Sequence, residues 1–378
     1  MKKVIIAILV FIFIFVVLFI IHKNTSILDP STQDHKDKTI EEEPKTPYVS
    51  YNKWLHTDSS SLLNEKNEEI QLKGLSSHGI QWYSDVITYD NLKYLKDNWN
   101  INIFRIAMYT SEDGYINHPT EIKSKVYQIA DMVIDLDMYV IIDWHILSDN
   151  DPNIYKEQSK AFFNETSQKY ANVPNVIYEI CNEPNANYVT WDNHVKPYAE
   201  EIIPIIRNNS PKSLVIVGTP DWCKNLRSPA DSPLQFDNIL YSCHFYSGTH
   251  KEELRDEIEY ALNKEIPVIV SECGTSDASG NGEVYLDAFS EWIDFLDKNN
   301  ISWINWSFSN KDESTAILRP DYPVQNNLDN NNNSTDVTLN TNTVNETETI
   351  DNQQVQANLD DYLTPSGEYI KKMLKLLK

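Results

Sequence analysis

From about residue 70 onward the chain alternates short apolar runs with stretches whose apolar residues recur at three- and four-residue spacing. The runs read as strands and the spaced stretches as helices. A strand over 71–77 precedes a helix over 90–99, one over 101–108 precedes 124–137, and one over 139–143 precedes 155–170. The alternation continues with 176–180 and 195–208, then 214–217, 239–244 and 252–263, 268–271 and 285–299, and finally 301–306. Eight strand-like runs in this order suit a single α/β domain, a (β/α)8 TIM barrel, better than an open doubly wound sheet.

Three segments fall outside this rhythm. Residues 4–21 form an unbroken apolar stretch behind Lys2 and Lys3, long enough to span a bilayer and longer than the apolar part of most export signals. It is expected to be a signal-anchor with its amino terminus in the cytoplasm, a cleaved signal peptide being the alternative, so residues 1–23 are set apart from the catalytic domain. Residues 24–47 are polar and charged and read as a stalk, leaving 48–378 for the barrel. Within it, residues of about 323–360 are dominated by Asn, Thr, Asp and Gln. They bury little apolar surface and are expected to form a disordered insertion in the last βα loop, on the catalytic face. A helical pattern resumes at Thr364 and runs to the end.

Composition narrows the range of partners. A formal charge of -24 over 378 residues repels phosphate backbones and anionic lipid, which argues against nucleic acid. A neutral polymer is not repelled. Four cysteines lack CxxC spacing and no Cys/His cluster suggests zinc, so no metal or cofactor is expected and any disulfide pairing is unreadable. A monomer is expected.

In a parallel barrel, functional groups gather where strands end. Two glutamates stand out there, Glu183 in Asn182-Glu183-Pro184 and Glu272 in Ser271-Glu272-Cys273-Gly274. Two carboxyl groups at the ends of two strands of one barrel can face each other across a cleft, as acetal cleavage by acid and nucleophile requires. The other strand ends add His78 and Trp82, Arg105 and Tyr109, His145, His244 and Tyr246, and Trp306. Each also has an ordinary reading: Arg105 as a structural ion-pair partner, the histidines as hydrogen-bonded core residues, Trp82 and Trp222 as packing.

Residues 72–83, 139–155, 191–209 and 310–314 together carry a resemblance to glycoside hydrolase family 5, and within it to the bacterial-type endo-β-1,4-glucanases of its second subfamily. The likeness covers about 64–378 apart from the Asn-rich tract. It implies a retaining endo-β-1,4-glucanase with Glu183 as acid/base and Glu272 as nucleophile. Asn182 would hydrogen-bond the sugar 2-hydroxyl, Arg105 and Tyr246 would flank Glu272, and His145 and His244 would orient the site. Trp306 would floor the cleaved sugar's subsite, with His78, Trp82, Tyr109, Trp222, Lys311 and Glu313 at neighbouring subsites. The chain departs from the pattern at Cys273, where relatives carry Trp, and this is expected to leave space or force repacking beside Glu272 and so alter subsite shape.

The expected substrate is cellulose or mixed-linkage β-glucan, cut by a protein held on the outer face of the cell membrane. The same carboxylate pair would serve another β-1,4 polymer such as mannan, xylan or xyloglucan. A surface carbohydrate-binding protein on an inactive barrel is the alternative from a different class.

Overall fold

The computed structural model describes residues 48–324 and 357–376, all within one compact unit spanning Thr46–Lys378. Eight parallel strands close into a barrel, β1 (Lys73–Ser77), β2 (Ile103–Tyr109), β3 (Tyr139–His145), β4 (Val176–Glu179), β5 (Val215–Gly218), β6 (Ile239–Tyr246), β7 (Val268–Gly274) and β8 (Trp303–Phe308). Around it lie α1 (Tyr89–Trp99), α2 (Pro119–Asp135), α3 (Lys156–Lys169), α4 (Lys196–Asn209), α5 (Arg227–Asp231), α6 (Glu252–Asn263), α7 (Leu286–Lys298) and α8 (Pro365–Leu376). The expected TIM barrel is the fold found.

The barrel interior is layered because side chains alternate along each strand. Ile103, Ile141, Ile177, Ile216, Ile269 and Ile304 form an apolar floor, closed from below by Val49, Leu55 and Leu62 of the segment ahead of β1. Two residues further along β2, β3, β4 and β7, the layer above carries Arg105, Asp143, Glu179 and Ser271, all fully buried. A second step along β2 and β3 brings Ala107 and His145 to the mouth, where Trp306, a single step beyond Ile304 on β8, joins them. The outward-facing residues of the same strands, among them Phe104, Val140, Val270 and Trp303, pack against the helices.

Ends differ from the sequence reading in instructive ways. β7 runs on through Glu272 to Gly274, so Glu272 is a strand residue rather than a residue beyond the strand, and β8 continues two residues past Trp306 to Phe308. The short helix α5, Arg-Ser-Pro-Ala-Asp, had no periodic signal at all. The expected insertion of about 323–360 lies mainly outside the described residues, but its carboxyl end belongs to the fold. Leu359 is buried, and Asp360 accepts hydrogen bonds from Tyr94, at 2.6 Å, and Trp99 of α1. Arg319 N donates to Tyr362 O at 2.8 Å, so the two edges of the tract are pinned to each other and to α1, on the barrel's flank.

The expected anchor and stalk, 1–23 and 24–47, also lie outside the described residues. Among those described, no helix is long and apolar enough to cross a membrane.

Candidate active site

The β strands deliver their polar residues into one cleft of about 510 Å³ at the carboxyl-terminal mouth. Its walls include Glu183, Glu272, His145, His244, Tyr246 and Trp306. His78, Tyr109, Trp222, Lys311 and Glu313 line the same cleft. Arg105 and Asn182 are fully buried immediately behind it. Trp82 stands 46% exposed at the rim, its ring 5.1 Å from that of Tyr109. Every residue given a catalytic or binding role from the sequence is therefore brought together, and Cys273 alone of the positions singled out stands apart.

The two glutamates occupy unlike surroundings. Glu272 accepts from Arg105 Nη1 at 3.0 Å on one oxygen and from Tyr246 Oη at 2.7 Å on the other. These donors orient a carboxylate and neutralise it. The Tyr246 phenol keeps its proton, since burial and the neighbouring Glu272 push its pKa well above the usual value. Glu183 Oε1 lies 2.8 Å from His244 Nδ1, and burial pushes its pKa up to about 7 against the opposing pull of Arg105 and Lys224. A cation and a phenol donate to Glu272, whereas burial favours a proton on Glu183.

Arg105 spreads its fork over several acceptors. Nε donates to Glu179 at 2.7 Å, Nη2 to Asn182 Oδ1 at 2.7 Å, and Nη2 also faces Asp143 at 3.0 Å. Planar, rigid geometry is what allows one cation to hold all of them. Burial pushes the Asp143 carboxyl up to about 8, outweighing Arg105. Asp143 Oδ2 lies 2.6 Å from His145 Nδ1. Burial, joined by Arg105, holds His145 neutral, so its Nδ1–H donates to Asp143 and its Nε2 accepts from Asn182 Nδ2 at 3.3 Å. Asn182 also donates to Ile146 O at 3.0 Å, which fixes the orientation of its amide.

Aromatic rings form the floor and rim. Trp306 stacks near His145, centroids 5.4 Å apart at 15°, and is 4.9 Å from His78. Lys311 Nζ reaches His78 Nε2 at 3.1 Å and Glu313 at 3.2 Å. Trp222 arrives on a turn in which Asp221, Trp222 and Cys223 are all left-handed, with φ of 58, 60 and 57°. Non-glycine residues pay about 1 to 2 kcal/mol each for that conformation. The turn is tied to the site by Trp222 N donating to Pro184 O at 3.2 Å and by the Cys223 thiol donating to Asn182 O at 2.9 Å.

Glu183, His244 and Glu272 present ligand-capable atoms within 4.8 Å of one another. Hydrogen bonding accounts for the grouping, since His244 is matched to Glu183 and Glu272 to Arg105 and Tyr246.

The model of the cellulase family, glycosyl hydrolase family 5, matches residues 63–312. The chain belongs to glycosyl hydrolase family 5. Endoglucanase A of Evansella cellulosilytica is 55% identical over 253 residues, 67% of this chain and 52% of that protein. An endoglucanase of Clostridium saccharobutylicum is 52% identical over 271 residues, 72% of this chain and 60% of that protein. The chain thus spans between half and two thirds of these curated relatives. Among solved structures, the catalytic domain of Thermobifida fusca endoglucanase Cel5A is similar with a TM-score of 0.74 at 30% identity, covering 86% of this chain and 99% of that one. That domain has also been solved in complex with cellotetraose.

Two features of this family 5 site were misread or missed in the sequence. Cys273 does not border the cleft. It faces outward, fully buried in the layer with Phe245, Phe289 and Trp303, its thiol donating to Ile304 O at 3.3 Å. Strand alternation puts it on the face opposite to Glu272, so the expected change in subsite shape is corrected to a change in packing between sheet and helices. Asp143, Glu179 and Ser271 were overlooked. A charged residue inside the apolar run Val176-Ile177-Tyr178-Glu179-Ile180 was the available signal, because a buried carboxylate requires a partner.

Proposed function

We propose that this protein is a retaining endo-β-1,4-glucanase that hydrolyses internal bonds of cellulose or mixed-linkage β-glucan. The observation that carries the reading is that one carboxyl oxygen of Glu183 and one of Glu272 lie within 4.8 Å of each other, a nearest-oxygen distance that favours the closer of the two carboxyl-group spacings. An inverting pair needs about 6.5 to 9.5 Å to seat a water, whereas direct attack by one carboxylate goes with about 5 to 5.5 Å.

In the first step Glu183 donates its proton to the departing glycosidic oxygen while the Glu272 carboxylate attacks the anomeric carbon. The C–O bond breaks and a glycosyl ester forms. Water then attacks the same carbon, giving a proton to Glu183 and expelling the Glu272 carboxylate, with net retention. Arg105 and Tyr246 hold the nucleophile; Trp306 supports the apolar face of the sugar. The long Asn182–His145 hydrogen bond, 3.3 Å, is the one a sugar 2-hydroxyl would replace. His78, Trp82, Tyr109, Trp222, Lys311 and Glu313 form flanking subsites. The chemistry requires no metal or cofactor. The endoglucanase relatives and the cellotetraose complex of a family member support a β-1,4-glucan.

Initial rates on carboxymethylcellulose and mannan, with Glu272→Gln as control, test the substrate. Preference for mannan would overturn it, and binding without hydrolysis of any soluble β-glucan would favour a carbohydrate-binding protein. The apolar residues 4–21 support presentation at the outer face of the cell membrane. Fractionation with amino-terminal sequencing tests that reading, and a mature protein beginning near Ile27 would refute the anchor.

A further inference from the structure

Behind the acid/base candidate runs a chain of hydrogen bonds that leads away from the cleft. Glu183 Oε1 meets His244 Nδ1 at 2.8 Å, and His244 Nε2 meets Ser271 Oγ at 3.0 Å. Ser271 Oγ donates to Glu179 Oε1 at 2.6 Å, and Glu179 Oε2 accepts from Arg105 Nε at 2.7 Å. Every member but Glu183 is at most 2% exposed, and Glu183 is 7%.

The direction of each bond follows from the proton count. Arg105 has no lone pair, so Glu179 accepts from it and can give it nothing. A serine hydroxyl carries one hydrogen. Burial raises the Glu179 pKa, and the Arg105 guanidinium bonded to it opposes that rise and favours the carboxylate; donated to this carboxylate, the hydrogen leaves only lone pairs for the other neighbours of Ser271, His244 Nε2 and the Ser242 hydroxyl at 2.5 Å. His244 Nε2 must then be the protonated nitrogen. Nδ1 is left bare, and a bare Nδ1 can only accept from the Glu183 carboxyl.

We propose that Ser271 and Glu179 are positioning residues that fix His244 as the Nε2–H tautomer and thereby keep the proton on Glu183. The opposite tautomer would donate from Nδ1 to Glu183 and favour its ionised form. Histidine's second nitrogen sets which of these obtains, and here that nitrogen is read by a serine.

The other groups around the pair do not supply this control. Arg105 of β2 and Lys224 beyond β5 both favour ionised Glu183. Asp143 of β3 interacts electrostatically with Glu183, and Glu272 of β7 with His244, but neither makes a hydrogen bond to Glu183 or to His244 among the described contacts. His145 and His250 are held neutral by burial, and the Tyr109 and Tyr246 phenols keep their protons. Burial likewise holds His244 neutral, as a tautomeric switch requires.

The inference rests on the proposed role of Glu183, and its test separates the two. Nitrogen NMR of the 15N-histidine-labelled protein reads the tautomer whether or not any glucan is cleaved. The expected result is a protonated Nε2 and a bare Nδ1 for His244. In Ser271→Ala the population shifts toward Nδ1–H, and Ser271→Thr, which keeps the hydroxyl, restores the original form. In kinetics, the alkaline limb of kcat/KM moves down by about one pH unit in Ser271→Ala and Glu179→Gln. The loss of rate above that limb is larger on cellooligosaccharides than on aryl cellobiosides, whose leaving group needs little protonation. A protonated Nδ1 in the unmodified protein, or an alkaline limb unmoved in a folded Ser271→Ala, overturns the proposal. Absence of all hydrolysis with the Nε2–H tautomer present overturns the functional reading alone.

Discussion

Nη1 of the wholly buried Arg105 lies 3.0 Å from Oε2 of Glu272, while the same guanidinium also faces Asp143 and Glu179. It is at once the structural ion-pair partner and the holder of the candidate nucleophile. Arg105→Ala would leave buried carboxylates without their cation and is expected to lower stability by about 3 to 5 kcal/mol. Arg105→Lys cannot reproduce the fork, and activity is expected to fall at least 100-fold even where the variant folds. Calorimetry and initial rates distinguish the two; a stable, active lysine variant would refute this account.

Stability should depend on pH in an uncommon direction. Burial raises Glu183 from 4.5 to about 7 and Asp143 from 3.8 to about 8. The folded state therefore binds these protons more tightly than the unfolded chain. Their contribution is complete below about pH 4 and is lost as pH rises through 7 and 8. A higher Tm at pH 5 than at pH 8.5 is expected, and Glu183→Gln or Asp143→Asn should narrow the difference. A gap unchanged in both variants would remove these groups as its source.

The facing carboxyl groups of Glu183 and Glu272 fix stereochemistry. Proton NMR of early products from a soluble cello-oligosaccharide should show the β-anomer first, with the α-anomer growing only by mutarotation. An initial α product would exclude attack by Glu272.

Trp222 is 44% exposed on its left-handed turn and carries little of the core. Trp222→Ala is expected to raise KM several-fold, leave kcat within about a factor of three, and change stability by less than about 0.5 kcal/mol. A large fall in kcat with KM unchanged would place it closer to the reaction than a subsite wall.

The pinned edges of the Asn-rich tract suggest that it can be removed. With Arg319 bonded to Tyr362, and Asn91 bonded to Tyr322 at 2.9 Å, replacing residues 325–356 by a short Gly/Ser linker should keep Tm within a few degrees, since loop length enters only logarithmically. Loss of soluble protein would show that the tract contributes to the fold.

The barrel was legible because its strands are buried on both faces and so read as near-continuous apolar runs. Glu183 and Glu272 were legible because they interrupt that apolarity beside residues of distinctive chemistry. Asp143 and Glu179 share the same layer yet were absorbed into strands, since a one-letter pattern does not say which face of a strand a charge occupies or that Arg105 waits opposite. Cys273 was misplaced for the converse reason: adjacency to Glu272 in sequence means the opposite face in a strand. The turn carrying Trp222 offered no glycine to announce three left-handed residues, and α5 was too short for helical period to register.

Cys181, Cys223, Cys243 and Cys273 are all free and fully buried, and burial pushes each thiol's pKa upward. Alkylating reagents and oxidants act on exposed thiolates, so folding conceals all four from both. The barrel thus carries its own internal clock: the rate at which a thiol reagent consumes these side chains reports how often the structure opens, and under oxidising conditions each such opening is also the moment at which a wrong disulfide can form.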